Sequence, residues 1–134
     1  MYLEFCNYNN SHFDDMESQT REVFDAVSVG FSGVAVPVYL LKEIATYFSK
    51  TTIDIATVID FPNGTSDKKI RQHEVSVALK VGADFIDIPI NPYLVRDRKY
   101  SKIESEIKTF MRMCKDYGAE PRSQSSSTSS NKTA

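Results

Sequence analysis

An excess of charge of either sign is the first thing this sequence lacks. Lys and Arg number 16 against 18 Asp and Glu, a formal net charge of −2. No basic face marks the chain for nucleic acid, and no acidic block forms a solvating tail. Cysteine is scarce, with only Cys6 and Cys114, far apart in the chain. Without a secretory signal they read as free thiols in a reducing compartment, which points to the cytoplasm or to a particle assembled there. The start, "MYLEFCNYNN", has neither the basic residues nor the apolar stretch of a signal peptide. No apolar run approaches the ~20 residues a membrane helix needs, so no membrane partner is expected. His12 and His73 are the only histidines, and neither has a second His at ligand spacing. No metal and no cofactor are therefore expected.

The 134 residues suit one domain with one core. From Arg122 the chain reads "RSQSSSTSSNKTA", which has no apolar anchor and reads as a disordered Ser/Thr-rich tail over 122–134. The preceding residues, 1–121, alternate between two periods. "YLEF" reads as a short strand. "SHFDDMESQTREVFDAVSVG" reads as a helix capped by Ser11 or Asp14 and stopped by Gly30, with Met16, Thr20, Val23 and Val27 on one face. "GVAVPV" is a second strand over 33–38, and "YLLKEIATYFSK" a second helix. "TIDIATVIDF" is a third strand, followed by the turn "PNGTSD", in which Thr65 or Ser66 caps the next helix. Gly82 ends that helix. "DFIDIPI" is the fourth strand. The last helix carries Ile103, Ile107, Phe110, Met111 and Cys114 at inward spacing, and Gly118 closes it. Four βα units in series predict an α/β fold with a parallel sheet.

Asp87 stands in that fourth strand among Phe85, Ile86, Ile88 and Ile90. A buried, unpaired carboxylate costs several kcal/mol, so a partner or a task is expected for it. Asp60 lies just before Phe61 and Pro62 at a strand's C-terminal end, as a turn-forming or ligand-binding acid, and Asn91 follows the fourth strand. Lys42, Lys68 and Lys69 lie near strand C-terminal ends but in polar helix segments, where a solvated lysine stays protonated. Cys6 reads as a buried or half-buried thiol. "FPNGTSD" offers backbone N–H groups at a helix start but lacks the glycine spacing of a phosphate loop.

Three stretches resemble deoxyribose-phosphate aldolase: "IATVIDFPNG" (55–64), "HEVSVALKVGADFIDIPIN" (73–91) and "ESEIKTFMRMCKDYGAEP". Ala56, Thr57, Val58, Phe61, Pro62, Gly64, Glu74, Gly82, Ala83, Asp84 and Asp87 fall on that family's pattern. The resemblance implies an eight-stranded (β/α) barrel of which this chain holds the N-terminal half, ending where a fifth strand would begin. It implies that Asp87 is the acid that serves proton transfer around a Schiff-base lysine, here vestigial. That lysine, a second one that tunes it and the phosphate loops belong to later strands of the family.

The expected function is a non-catalytic, aldolase-like half-barrel acting as a structural or assembly protein, in a phage or another multi-subunit particle. Its inner face would carry Val34 or Ala35, Val58 and Ile88, depending on register, and would be covered in a homodimer or a larger complex. The alternatives are an aldolase or lyase of deoxyribose phosphate with a site completed by another subunit, and a small-molecule binding protein using Asp60, Asp87 and Asn91.

Overall fold

The structure is a computed structural model, and it describes residues 1–8 and 15–124. The elements run β1 (Glu4–Cys6), α1 (Met16–Ser28), β2 (Gly33–Ala35), α2 (Val38–Phe48), β3 (Asp54–Val58), α3 (Lys68–Val81), β4 (Phe85–Pro89), α4 (Pro92–Arg96), α5 (Tyr100–Asp116) and β5 (Glu120–Gln124). All five strands are parallel, in the spatial order β1-β2-β3-β4-β5. The expected α/β alternation is present.

Local chemistry moved several boundaries. Asp15 caps α1, its carboxylate accepting from the Ser18 N–H at 2.8 Å; Ser11 and Asp14 lie outside the described residues. Pro37 has no N–H to give a ladder, so β2 stops at Ala35 and α2 begins at Val38. Asp67, not Thr65 or Ser66, caps α3, accepting from Lys69 N–H at 3.0 Å. Gly82 ends α3 with a φ of 113°, a conformation that costs a residue with a Cβ. Met111 is about half exposed, off the inward stripe, while Phe110 and Cys114 are buried.

The larger correction is β5. Arg122 does not open a tail, and the expected boundary after Pro121 falls inside a strand paired with β4 over its whole length. The remainder of the expected tail, 125–134, lies outside the described residues.

The pairing register separates two faces. Val34, Val36, Ile55, Ile59, Ile86 and Ile88 join Leu41, Ile44, Val75, Leu79 and Phe110 in the core under the helices. Glu4, Ala35, Ala56, Val58, Phe85, Asp87 and Arg122 share the opposite face, because each is in step with the next across the ladder. Val34 and Ile88 thus belong to the helix side, and Ala35 and Val58 to the inner side. In a flat sheet the edge strands would stand ~19 Å apart. An extended Arg, a Glu and one hydrogen bond reach only about 14 Å between Cα atoms. Arg122 of β5 nevertheless meets Glu4 of β1 at 3.0 Å, so the sheet is curled as a barrel wall is.

Candidate functional site

Asp87 lies at the middle of β4, pointing to the concave face with 2% exposure. In-register pairing places Arg122 beside it on β5. The guanidinium grips Asp87 with two groups: Nε donates to Oδ1, and Nη2 donates to Oδ2 at 2.9 Å. The same Nη2 reaches across the curl to Glu4, at 3.0 and 3.3 Å from its two oxygens. Phe85 lies under the guanidinium, 4.7 Å from ring centroid to Cζ. The buried acid therefore has a partner, in the planar two-pronged geometry that suits arginine.

Burial raises the Asp87 pKa above the ordinary carboxylate value; the Arg122 hydrogen bonds and charge oppose that rise and Glu4 adds to it. Burial alone would lower the Arg122 pKa, but Asp87 and Glu4 more than offset this and raise it. Cys6 is exposed, correcting the expectation of a buried thiol, and its Sγ stands 4.0 Å from Glu4 Oε1. Desolvation and the carboxylates of Glu4 and Asp87 raise its pKa, which makes it a poor nucleophile. Tyr8, just past β1, inserts its hydroxyl between β2 and β3. It donates to Val36 O at 2.6 Å and accepts from Val58 N–H at 2.7 Å.

Asp60 does not join this site. It has a φ of 51° and organises the turn after β3, accepting from Ser66 N–H at 3.0 Å and from Arg71 Nη1 at 3.4 Å. Glu74 secures the same turn through the Asp60 N–H at 2.7 Å. Arg71, 1% exposed, ties the turn to the rest of the fold: it donates to Gly64 O at 3.0 Å and Pro89 O at 2.5 Å and faces Glu106 at 3.7 Å. Asn91 caps α4 through Tyr93 N–H at 2.9 Å. It also lines a mainly apolar cavity of about 170 Å³ between β4, β5 and α5, a cavity that neither Asp60 nor Asp87 borders. The three residues of the small-molecule reading are thus in three different environments. Lys42 and Lys69 are exposed, Lys68 is half-buried at the start of α3, and none of the five strands contains a lysine. His73 is exposed on α3, and His12 lies outside the described residues.

Sequence reasoning missed Arg122, Glu4 and Arg71. The signal for Arg122 was indirect: a buried Asp87 requires a cation, and "AEPR" follows the last helix where a strand neighbouring β4 would run.

No family model matches the chain. A deoxyribose-phosphate aldolase of Aciduliprofundum boonei is 30% identical over 118 residues, covering 88% of this chain and 52% of that protein. The enzyme of the same name from Streptococcus pyogenes serotype M4 is 34% identical over 93 residues, covering 69% and 41% respectively. The chain is a relative of the deoxyribose-phosphate aldolases. It spans about half the length of the relatives it matches. The fold agrees: the tetrameric deoxyribose-phosphate aldolase of Aeropyrum pernix superposes with a TM-score of 0.74 at 20% identity, over 91% of this chain and 49% of that one. A further solved aldolase, QR15, gives 0.77 at 21% identity over 92% and 52%. The deoxyribose-phosphate aldolase motifs described above lie at β3, on α3 and at β4, with Asp87 on the inner wall. Among the described residues no helix is long and apolar enough to cross a membrane.

Proposed function

We propose that this chain is a non-catalytic, aldolase-like half-barrel that works by association, as a structural or assembly piece in a homodimer or a larger particle. The observation that carries the reading is the grip of Arg122 on Asp87. An acid that relays protons must meet its substrate and exchange its proton freely. Asp87 is 2% exposed with both oxygens engaged by one guanidinium, so a substrate would have to displace Arg122 first. A Schiff-base lysine needs a site that depresses its pKa, at a strand end facing the acid. None of the described strands supplies one. The two sheet edges, unpaired among the described residues, favour association.

A second reading keeps the chemistry: an aldolase of deoxyribose phosphate whose site is completed by another subunit. It is favoured by Asp87 occupying the motif position of the acid. Incubating the purified chain with deoxyribose 5-phosphate and sodium borohydride, then measuring intact mass, separates the two. The first reading expects no mass change and no retro-aldol turnover. A reduced adduct on any lysine would overturn it, with Lys42, Lys68 and Lys69 the first to be mapped.

A further inference from the structure

The two edges of the sheet differ in what their backbones offer. Glu120 donates its N–H to Asp84 O at 3.0 Å, and the register continues from there. Glu120, Arg122 and Gln124 therefore turn their backbone groups toward β4, and Pro121 and Ser123 turn theirs outward. Pro121 has no N–H, and its ring occupies the path of an incoming strand. Proline is tolerated in a sheet at such an outward position, and it blunts that edge. At the opposite edge, Gly33 N–H donates to Leu3 O at 3.2 Å and Asn7 N–H to Ala35 O at 2.8 Å. Leu3, Phe5 and Asn7 face β2, so Glu4 and Cys6 present N–H and C=O groups outward. Neither outward N–H has a backbone partner among the described residues. Beside this open edge Met1 and Leu3 are 99% and 38% exposed.

We propose that β1 is the pairing edge of this molecule and that a second copy occupies it, antiparallel, β1 to β1 about a twofold axis. This rests on the association reading above and assigns its interface. Joining β5 of one copy to β1 of the next would build a head-to-tail chain that need not close. Pro121 stands against that joint, and equally against two copies closing into one barrel, which needs a β5–β1 seam on both sides. Pairing through β1 alone consumes the open edge in both copies and leaves only blunted ones. Centred on Phe5, the pair sets Glu4 of each copy across from Cys6 of the other and uses all the outward groups in four hydrogen bonds. Glu4 faces Cys6 across the joint and keeps its contact with Arg122 within its own chain, so no carboxylate of one copy is set directly opposite a carboxylate of the other.

The full chain gives the test. Light scattering at micromolar concentration is expected to return twice the 15.2 kDa chain mass. In the proposed joint the two Cys6 residues are diagonal neighbours, about 7–8 Å apart. A two-carbon bismaleimide should therefore yield a covalent dimer on a denaturing gel, and Cys6→Ser should abolish it. Cys114 is buried and does not compete. Pro121→Val restores an outward donor and is expected to produce species larger than the dimer. A monomeric mass overturns the inference together with homotypic association. A dimer in which Cys6 takes up a monofunctional maleimide yet gives no crosslink, or a Pro121→Val variant that stays dimeric, overturns the edge assignment alone. A borohydride-trapped lysine overturns the non-catalytic reading and leaves the edge assignment standing.

Discussion

Take away the Arg122 guanidinium and Asp87 is left charged, buried and without a partner. Breaking a fully buried pair costs about 3–5 kcal/mol. Arg122 is 31% exposed, so water softens the loss. Arg122→Met is expected to destabilise the chain by roughly 2–3 kcal/mol in urea denaturation. Adding Asp87→Asn should recover most of that, because the stranded charge is gone. The sign of the pH effect follows from the raised Asp87 pKa. The folded chain keeps this proton to higher pH than the unfolded chain, whose aspartate titrates near 3.8. The contribution of Asp87 is therefore largest below that value and is lost as pH rises through the folded value. Comparing Asp87→Asn with the parent from pH 3 to pH 7, the variant should lack this acid-side gain. A variant whose stability curve runs parallel to the parent's would show that Asp87 keeps an ordinary pKa. The partner of Asp87 was not legible in the sequence. Arg122 opens a run of Ser, Thr and other polar residues with no apolar anchor, and only its in-register place beside Asp87 reveals its role.

Each expected strand and each long helix stands at its element's place, since apolar spacing and glycine stops report the helix core directly. The caps and the polar strand were less readable. Thr65 and Ser66 lost the capping position because the Asp60 carboxylate takes the Ser66 N–H, which pins the turn and delivers Asp67 to the first turn of α3. Asp67→Ala is expected to cost about 1 kcal/mol in thermal or urea unfolding. Thr65→Ala should stay within about 0.5 kcal/mol of the parent, as surface changes away from such features do. Equal losses at both positions would return the cap to the turn. The β5 sequence, EPRSQ, has little intrinsic strand preference. Its conformation is imposed by the ladder to β4 and by the Arg122 ion pairs, and a reading by local pattern has no access to either. Asp60 was legible as a turn former; the Arg71 contacts that hold its turn to β4 and α5 were not.

At the scale of the molecule, fold class and relationship were readable from motif order, while the reach of the sheet through Gln124 was not. Two truncations measure what that strand contributes. A chain ending at Gln124 keeps all of β5 and is expected to unfold within a few degrees of the full chain. One ending at Pro121 loses Arg122 and with it the bridge between the sheet's edges. Its midpoint should fall by roughly 6–12 °C, since 1 kcal/mol corresponds to about 3–4 °C in a chain of this length. Equal midpoints for the two truncations would mean that β5 contributes nothing beyond Pro121.

The Arg122–Glu4 contact joins residues 118 apart in sequence, whereas β1 to β4 pair between successive neighbours. During synthesis β1 leaves the ribosome long before Arg122 does, so the sheet can assemble strand by strand from its N-terminal side. The bridge across the concave face has to wait for nearly the whole chain. A contact of such long range is a late event on the folding path. Its loss should therefore quicken unfolding far more than it slows refolding. In a chevron plot Arg122→Met is expected to raise the unfolding limb and leave the refolding limb almost where it was, making this arginine a latch that sets how long the curled sheet stays shut.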